Sequence, residues 1–198
     1  MAVQIEQLQS STSTLSGTSA SNRTFLQWQP PSILIRAAMQ HCFPPVTRSD
    51  TRLLLLGSLP GAMSLAERRY YANPRNQFWR LAGAVVERDL PALGYEERLR
   101  ALLDAGVGLW DTVAAATREG SLDQAIRLHE ASDLAGLAAT LPDLRAVGFN
   151  GGKSAEIGRP QLASRADLAL VDLPSSSPAF TIPFEAKLER WIGLRRFL

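Results

Sequence analysis

The sequence predicts an α/β protein, a three-layer α/β/α sandwich whose central, mainly parallel sheet has four strands. Short apolar runs alternate with helical stretches along the chain, which is the order of a parallel sheet with right-handed crossovers. Each of the four runs also ends in a short loop of small or polar residues. In an open parallel sheet such loops all lie at one edge, where ligands bind.

The strands are predicted from their apolar character. The first run, Leu53–Leu56, is fully apolar and stops at Gly57, as expected of a strand covered on both faces. The three later strands are predicted at Val107–Trp110, Leu144–Phe149 and Leu168–Val171.

Helices are predicted between these strands and at the end of the chain. Two are expected over Gln77–Glu87 and Tyr95–Asp104, and more helix is expected between Trp110 and Leu144. Spacings of four and three predict an amphipathic final helix that buries Phe184, Leu188, Trp191, Leu194 and Phe197.

The chain of 198 residues is long enough for one sizeable core. Ser and Thr dominate the stretch from Ser10 to Ser21, which cannot bury enough apolar surface to offset the entropy of ordering. We therefore expect residues 1–22 to be a disordered leader and residues 23–42 a linker or surface-docked extension. Residues 43–198 are predicted to form the folded domain.

Composition excludes several classes of protein. One cysteine and two histidines rule out a disulfide framework, a cysteine-based zinc site and an iron–sulfur cluster held by four thiolates. No metal or organic cofactor is expected. The sequence has no apolar run near the ~18 residues of a membrane span and no visible secretory signal. We expect a cytoplasmic monomer with no membrane partner.

The loops that follow the four strands carry the chemistry. They are Gly57–Gly61, Asp111–Thr112, Asn150–Lys153 and Pro174–Pro178. Small residues leave room for a ligand, and their backbone N–H groups can bind an anion. Glycine, serine and proline are common in any loop, but four such loops at one edge favour a phosphate-bearing ligand.

Two enzyme classes fit these loops poorly. Gly148–Ser154 resembles a phosphate-binding P-loop, yet three residues instead of four separate its first glycine from the Gly-Lys pair. A P-loop-like NTPase stays an alternative. The serine of Gly57–Gly61 does not fit a hydrolase nucleophile elbow. His129 lies outside the edge loops and is expected to be exposed or to cap a helix.

The segment Tyr70–Trp79 is the densest cluster of aromatic and amide side chains in the chain. Its aromatic rings could stack on a flat ligand, and its amides offer both donors and acceptors. Asn76 could equally cap a helix and Phe78 could equally face the core, so spacing alone leaves both open. Trp79 is expected in the core.

Six segments, taken in order, resemble the uracil-DNA glycosylase superfamily, and most closely its hypoxanthine-DNA (deoxyinosine) glycosylases. The resemblance covers about residues 43–198, and no single segment would carry it alone. The segments are Gly57–Gly61, Tyr71–Trp79, Gly108–Asp111, Arg118–Asp123, Phe149–Lys153 and Leu173–Ala179.

The resemblance implies an enzyme that extrudes a nucleotide from DNA and removes its base. It implies that Phe78 stacks on the base, and that the base is also contacted by Gly57, Ser58, Asp111 and Asn150. Contacts to DNA would come from Pro60, Gly61, Lys153, Ser175, Ser176, Ser177 and Pro178. For Lys153, a plain surface position explains the residue equally well. Phe180 is a possible wedge in the duplex.

Two departures from the family shift the expected chemistry. Many relatives carry Asp or Asn at the position of Leu59, and many carry a histidine where this chain has Ser175–Ser177. The catalytic role therefore moves to Asn76, which matches an asparagine of the hypoxanthine branch and can orient water. The first two loops lack a lysine for a Schiff base, so the enzyme is expected to be monofunctional.

The predicted function is therefore excision of hypoxanthine, with uracil as a second candidate base, in base excision repair. A P-loop-like NTPase and a non-catalytic DNA-binding domain are the alternatives.

Overall fold

The computed structural model describes residues 39–118, 121–123 and 126–198. The predicted leader over residues 1–22, and the predicted extension up to residue 38, lie outside the described residues. Within the described part, no helix is long and apolar enough to cross a membrane.

The predicted four-stranded parallel sheet is confirmed. Its strands are β2 (Leu53–Gly57), β3 (Val107–Asp111), β6 (Ala146–Asn150) and β7 (Ala169–Leu173). They lie in the order β3-β2-β6-β7, and all three pairings are parallel. The register places Gly57 beside Asp111 and Asn150 beside Leu173, so the loops that follow the strands start level with one another.

Helices cover both faces of this sheet, which confirms the three layers. The side chains of β2 alternate between the two faces. Leu53 and Leu55 pack in one core cluster with α2 (Phe78–Val86), α3 (Tyr95–Asp104) and α6 (Phe184–Ile192). Leu54 and Leu56 pack in a second cluster with α4 (Leu134–Ala139) and α5 (Gly152–Leu162).

The predicted helices α2 and α3 lie where the sequence places them. The final helix α6 ends at Ile192, and the chain continues as a 3₁₀ turn over Gly193–Phe197. A short helix, α1 (Ala62–Glu67), follows the first edge loop.

Of the helix expected between Trp110 and Leu144, the described residues form only α4, and the segment between β3 and α4 forms strands instead. It forms β4 (Val113–Arg118) and β5 (Ile126–Ala131), which pair antiparallel and join β1 (Met39–His41) in a second, three-stranded sheet. Alanine-rich sequence favours a helix by intrinsic propensity. Here burial overrides that preference, because Val113, Ala116 and Ile126 pack with Leu59 in a small apolar cluster. His129 is exposed, as expected, but on a strand.

Candidate active site

A cavity of about 910 Å³ lies at the carboxyl edge of the parallel sheet, where the four predicted loops meet. It brings together every residue that the sequence analysis assigned to the site, with the exception of Phe78. Those that line it are Gly57, Ser58, Pro60, Gly61, Asn76, Asp111, Asn150, Lys153, Ser175, Ser176, Ser177 and Pro178.

Phe78 begins α2 and faces the core, where it is 0% exposed. Tyr71 covers it, with ring centroids 3.6 Å apart and planes only 5° from parallel. Tyr71 itself lines the cavity. Of the stacked pair, Tyr71 is therefore the ring that a flat ligand in the cavity can reach. The sequence places Tyr71 in the aromatic cluster, but no site role was predicted for it.

The backbone of Tyr71 is left-handed, with a φ of 52°. This region is unfavourable for a bulky residue and persists only where the surrounding structure holds it. The carbonyl oxygen of Tyr71 accepts a hydrogen bond from Trp79 Nε1 at 3.2 Å, and the next residue, Ala72, donates its N–H to Ser64 Oγ. The aromatic position is thus fixed from both sides of the turn.

Asn76 lies in the turn that starts α2. Its Oδ1 accepts a hydrogen bond from Phe78 N at 2.9 Å, and its own N–H donates to Asn73 O at 2.9 Å. Its side-chain nitrogen has no hydrogen-bond partner within the part of the chain that the structure describes. The Asn76 side chain therefore accepts the first N–H of α2 and also lines the cavity, and its catalytic role stays a prediction.

Asn150 connects three parts of the site. Its Nδ2 donates to Ser176 Oγ at 2.9 Å and to Tyr71 Oη at 3.2 Å, while its Oδ1 accepts from Ser176 N at 2.8 Å. Ser176 O in turn accepts from Gln77 N at 3.0 Å. The amide therefore fixes the last edge loop and the Tyr71 phenol, whereas the base contact that the sequence predicts for it stays a prediction.

Gly57, at the end of β2, has no side chain, and this lets Asp111 and the Tyr71 hydroxyl lie close to its backbone. A Cβ atom at this position would lie 2.4 Å from Asp111 Oδ1 and 3.1 Å from Tyr71 Oη. Asp111 is only 3% exposed. Burial, followed by the nearby charge of Asp111, raises the pKa of the Tyr71 phenol above its ordinary value. The cavity therefore holds a neutral phenol close to a buried carboxyl group.

The segment 121–123 covers the first edge loop. Ser58 Oγ and Asp123 Oδ1 form a hydrogen bond of 2.6 Å, and Ser121 Oγ accepts from Ala62 N at 2.9 Å. Asp123 lines the cavity. This segment contributes to the family resemblance, although no site residue was predicted in it.

Lys153 lies in the first turn of α5, with its Nζ bonded to Glu156 Oε1 at 2.9 Å. A P-loop would use the next residue, Ser154, to hold magnesium. Here Ser154 is fully buried, and its hydroxyl donates to Leu56 O at 2.8 Å. This geometry argues against the P-loop alternative. Arg75, which the sequence analysis did not single out, is exposed at the cavity rim.

Comparison with known proteins agrees with this geometry. The family model of the uracil DNA glycosylase superfamily matches residues 44–195. A hypoxanthine DNA glycosylase of Methanosarcina barkeri is 44% identical over 114 residues, which are 58% of this chain and 72% of that protein. A hypoxanthine DNA glycosylase of Methanosarcina acetivorans is 42% identical over 137 residues, which are 69% of this chain and 85% of that protein.

A solved structure gives the same relationship at the level of the fold. The solution NMR structure of a protein described as a uracil DNA glycosylase, from Methanosarcina acetivorans, superposes with a TM-score of 0.73 and 37% identity. The match covers 80% of this chain and 98% of that one. Fold, site geometry and sequence similarity agree, and the chain belongs to the uracil DNA glycosylase superfamily.

Proposed function

We propose that this protein is a monofunctional DNA glycosylase that hydrolyses the N-glycosidic bond of a deaminated base, with hypoxanthine as the main substrate and uracil as a second. The observation that carries the proposal is the shared cavity of Tyr71, Asn76 and Asn150 at the carboxyl edge of the sheet. The names of the two Methanosarcina relatives support the choice of hypoxanthine.

The cavity accommodates a nucleoside taken out of the duplex. Its volume of about 910 Å³ lies in the range of small-molecule sites. Extrusion costs a few kcal/mol, and least where the base is mispaired, as a deaminated base is. The extruded base stacks on the accessible face of Tyr71, while the buried Phe78 supports that ring from behind.

Polar groups around Tyr71 bind the edge of the base. A phenol is protonated at neutral pH, and burial raises the pKa of Tyr71 further, so its hydroxyl can donate as well as accept. Asn150 already makes three hydrogen bonds to Tyr71 and Ser176. Its main contribution is to hold the binding surface in place before the base arrives.

Cleavage proceeds through an oxocarbenium-like sugar, so the enzyme needs a positioned water and charge stabilisation instead of a strong nucleophile. Asn76 orients the water, because its side-chain nitrogen remains available while its oxygen is fixed by the helix start. The carboxyl group of Asp111, when ionised, provides negative charge near the developing cation.

Phosphate contacts come from the rim of the cavity. Arg75 is exposed there, and Lys153 can exchange its Glu156 partner for a phosphate, since an exposed ion pair contributes little stability. Backbone N–H groups of the edge loops add further donors. A cytoplasmic location, a monomeric state and a role in base excision repair stay predictions.

Base release from a labelled duplex with one deoxyinosine tests the proposal. After incubation in EDTA, alkali should cleave the labelled strand at the lesion, whereas untreated strands should stay intact because no lyase step occurs. Borohydride should trap no covalent complex. Salt-sensitive binding without alkali-labile sites would instead favour the non-catalytic DNA-binding alternative.

A further inference from the structure

Lys187 is a buried cation that the proposed chemistry does not use. It lies on α6 and is only 1% exposed. Its Nζ donates to Phe180 O at 2.7 Å and lies 5.4 Å from the centre of the Phe180 ring. Burial lowers the pKa of the ammonium group. A buried charge is costly unless it is compensated, so the contact to Phe180 calls for an explanation.

The loop that Lys187 contacts connects β7 to α6 over residues 174–183, and its two halves are held by different contacts. Trp191 Nε1 donates to Pro174 O at 3.0 Å, and Ser176 is held by Asn150 and Gln77. These contacts fix the first half of the loop. The second half carries the Phe180 ring. There the Lys187 ammonium, on α6, donates a hydrogen bond to the Phe180 carbonyl.

Phe180 is exposed at the mouth of the cavity. It is 42% exposed and lines the cavity, and Ile182 beside it is 38% exposed. Apolar side chains at the edge of a base-flipping site can enter the stack and fill the space that the base leaves. A backbone that is already held in place presents such a side chain without the entropic cost of ordering it on binding.

We propose that Lys187 is a positioning residue, which holds the Phe180 carbonyl so that the Phe180 ring enters the duplex as the base leaves it. This inference rests on the proposed glycosylase function. It also gives a reason for a buried cation in the helix layer, because an apolar residue could not bind the carbonyl.

The test compares duplex and single-stranded substrates, since only a duplex needs a wedge. Lys187→Met keeps an unbranched side chain of nearly the same length and removes its charge and its hydrogen bond to Phe180 O. Melting curves of the variant show whether it keeps its fold. We expect single-turnover excision from the duplex to fall by about tenfold or more, the equivalent of about 1.4 kcal/mol. Excision from single-stranded DNA should change by less than about twofold.

Arg190→Met is the matched control, because it removes a charge from the exposed side of the same helix. Phe180→Ala should reproduce the duplex-specific loss, and the double variant with Lys187→Met should be no slower than the worse single variant. Equal losses on both substrates, or undiminished excision from the duplex, would overturn the inference.

Chymotrypsin provides a readout that does not depend on activity. Cleavage after Phe180 should be at least several-fold faster in Lys187→Met than in the wild type and in Arg190→Met, if the ammonium holds this half of the loop. Unchanged cleavage contradicts the anchoring role. A wild type that releases no base refutes the proposed function, whereas normal wild-type release with an unaffected Lys187→Met refutes only this inference.

Discussion

Replacement of Tyr71 by leucine tests which aromatic ring receives the base. Tyr71 lines the cavity and Phe78 does not, although the two rings stack at 3.6 Å. A base stacked on an aromatic side chain gains about 1–3 kcal/mol. Loss of that contact corresponds to a fall of about 5- to 150-fold in the rate of excision. We expect Tyr71→Leu to show this loss in single-turnover assays with excess enzyme.

Two further variants separate stacking from other effects. Tyr71→Phe keeps the ring and loses the hydrogen bond from Asn150, worth about 0.5–1.5 kcal/mol, so it should retain more activity than Tyr71→Leu. Phe78→Leu removes a fully buried ring and should lower the free energy of unfolding by about 1–3 kcal/mol. At temperatures where Phe78→Leu is folded, its excision rate should be closer to the wild-type rate than that of Tyr71→Leu.

The opposite pattern would refute the assignment. If Phe78→Leu abolished excision while Tyr71→Leu remained active, the base would have to displace Tyr71 and stack on Phe78 directly, as the sequence-based prediction has it. Melting curves of each variant show whether a lost rate reflects a lost fold.

Three further predictions follow from the site. Asn76→Ala should slow excision by about 10²–10³-fold with DNA binding retained. The variant should also lose about 1 kcal/mol of stability, because Phe78 N loses its acceptor. Normal excision by the variant would contradict the catalytic role. Gly57→Ala should slow excision at least about tenfold, since the Cβ of the new alanine would lie 2.4 Å from Asp111 Oδ1 and must displace that carboxyl group. An unaffected rate would show that excision does not depend on the position of Asp111. The pKa values of all three tyrosines are raised by burial, so ultraviolet titration should show less tyrosinate at about pH 10 in the native protein than in the unfolded chain. Because the folded form then holds protons that the unfolded form has lost, stability should fall as the pH rises above about 10, and a rise would contradict the burial of these phenols.

The parallel sheet could be predicted because its signal is local. The four strands carry apolar runs, and in β2 and β6 every residue is buried. The shared position of the four edge loops could be predicted in the same way, because the loops that follow parallel strands all lie at the carboxyl edge of the sheet. All of the predicted site residues on these loops do meet in one cavity.

The second sheet could not be predicted, because its signal is not local. The sequence Val113–Arg118 contains three consecutive alanines, which a helix accommodates as well as a strand. Its pairing partners are Met39–His41 and Ile126–Ala131, and the first of these lies more than 70 residues away along the chain. Only tertiary contacts of this kind decide the outcome.

For a similar reason, the sequence could not predict that Tyr71 lines the cavity while Phe78 is buried behind it. Both lie in one aromatic segment, and spacing cannot show which ring covers the other. The decision depends on a left-handed backbone at Tyr71, which no pattern in the sequence announces for a residue of this size. Lys187 is a comparable case, because a lysine on an amphipathic helix is usually exposed.

The second sheet also gives a physical reason for an apolar residue at position 59 in the first edge loop. Leu59 stands where many relatives of the superfamily carry a polar residue that positions water. Here it is buried against Val113, Ala116 and Ile126, the residues of β4 and β5 that the sequence did not predict to be strands. A polar side chain at this position would face apolar contacts on that side, at a cost unless it found a partner. Replacement of Leu59 by asparagine alone should therefore not restore a water-positioning group without loss of stability. We therefore propose Asn76 for the polar role, because its oxygen is held by the start of α2 and its nitrogen is available at the cavity.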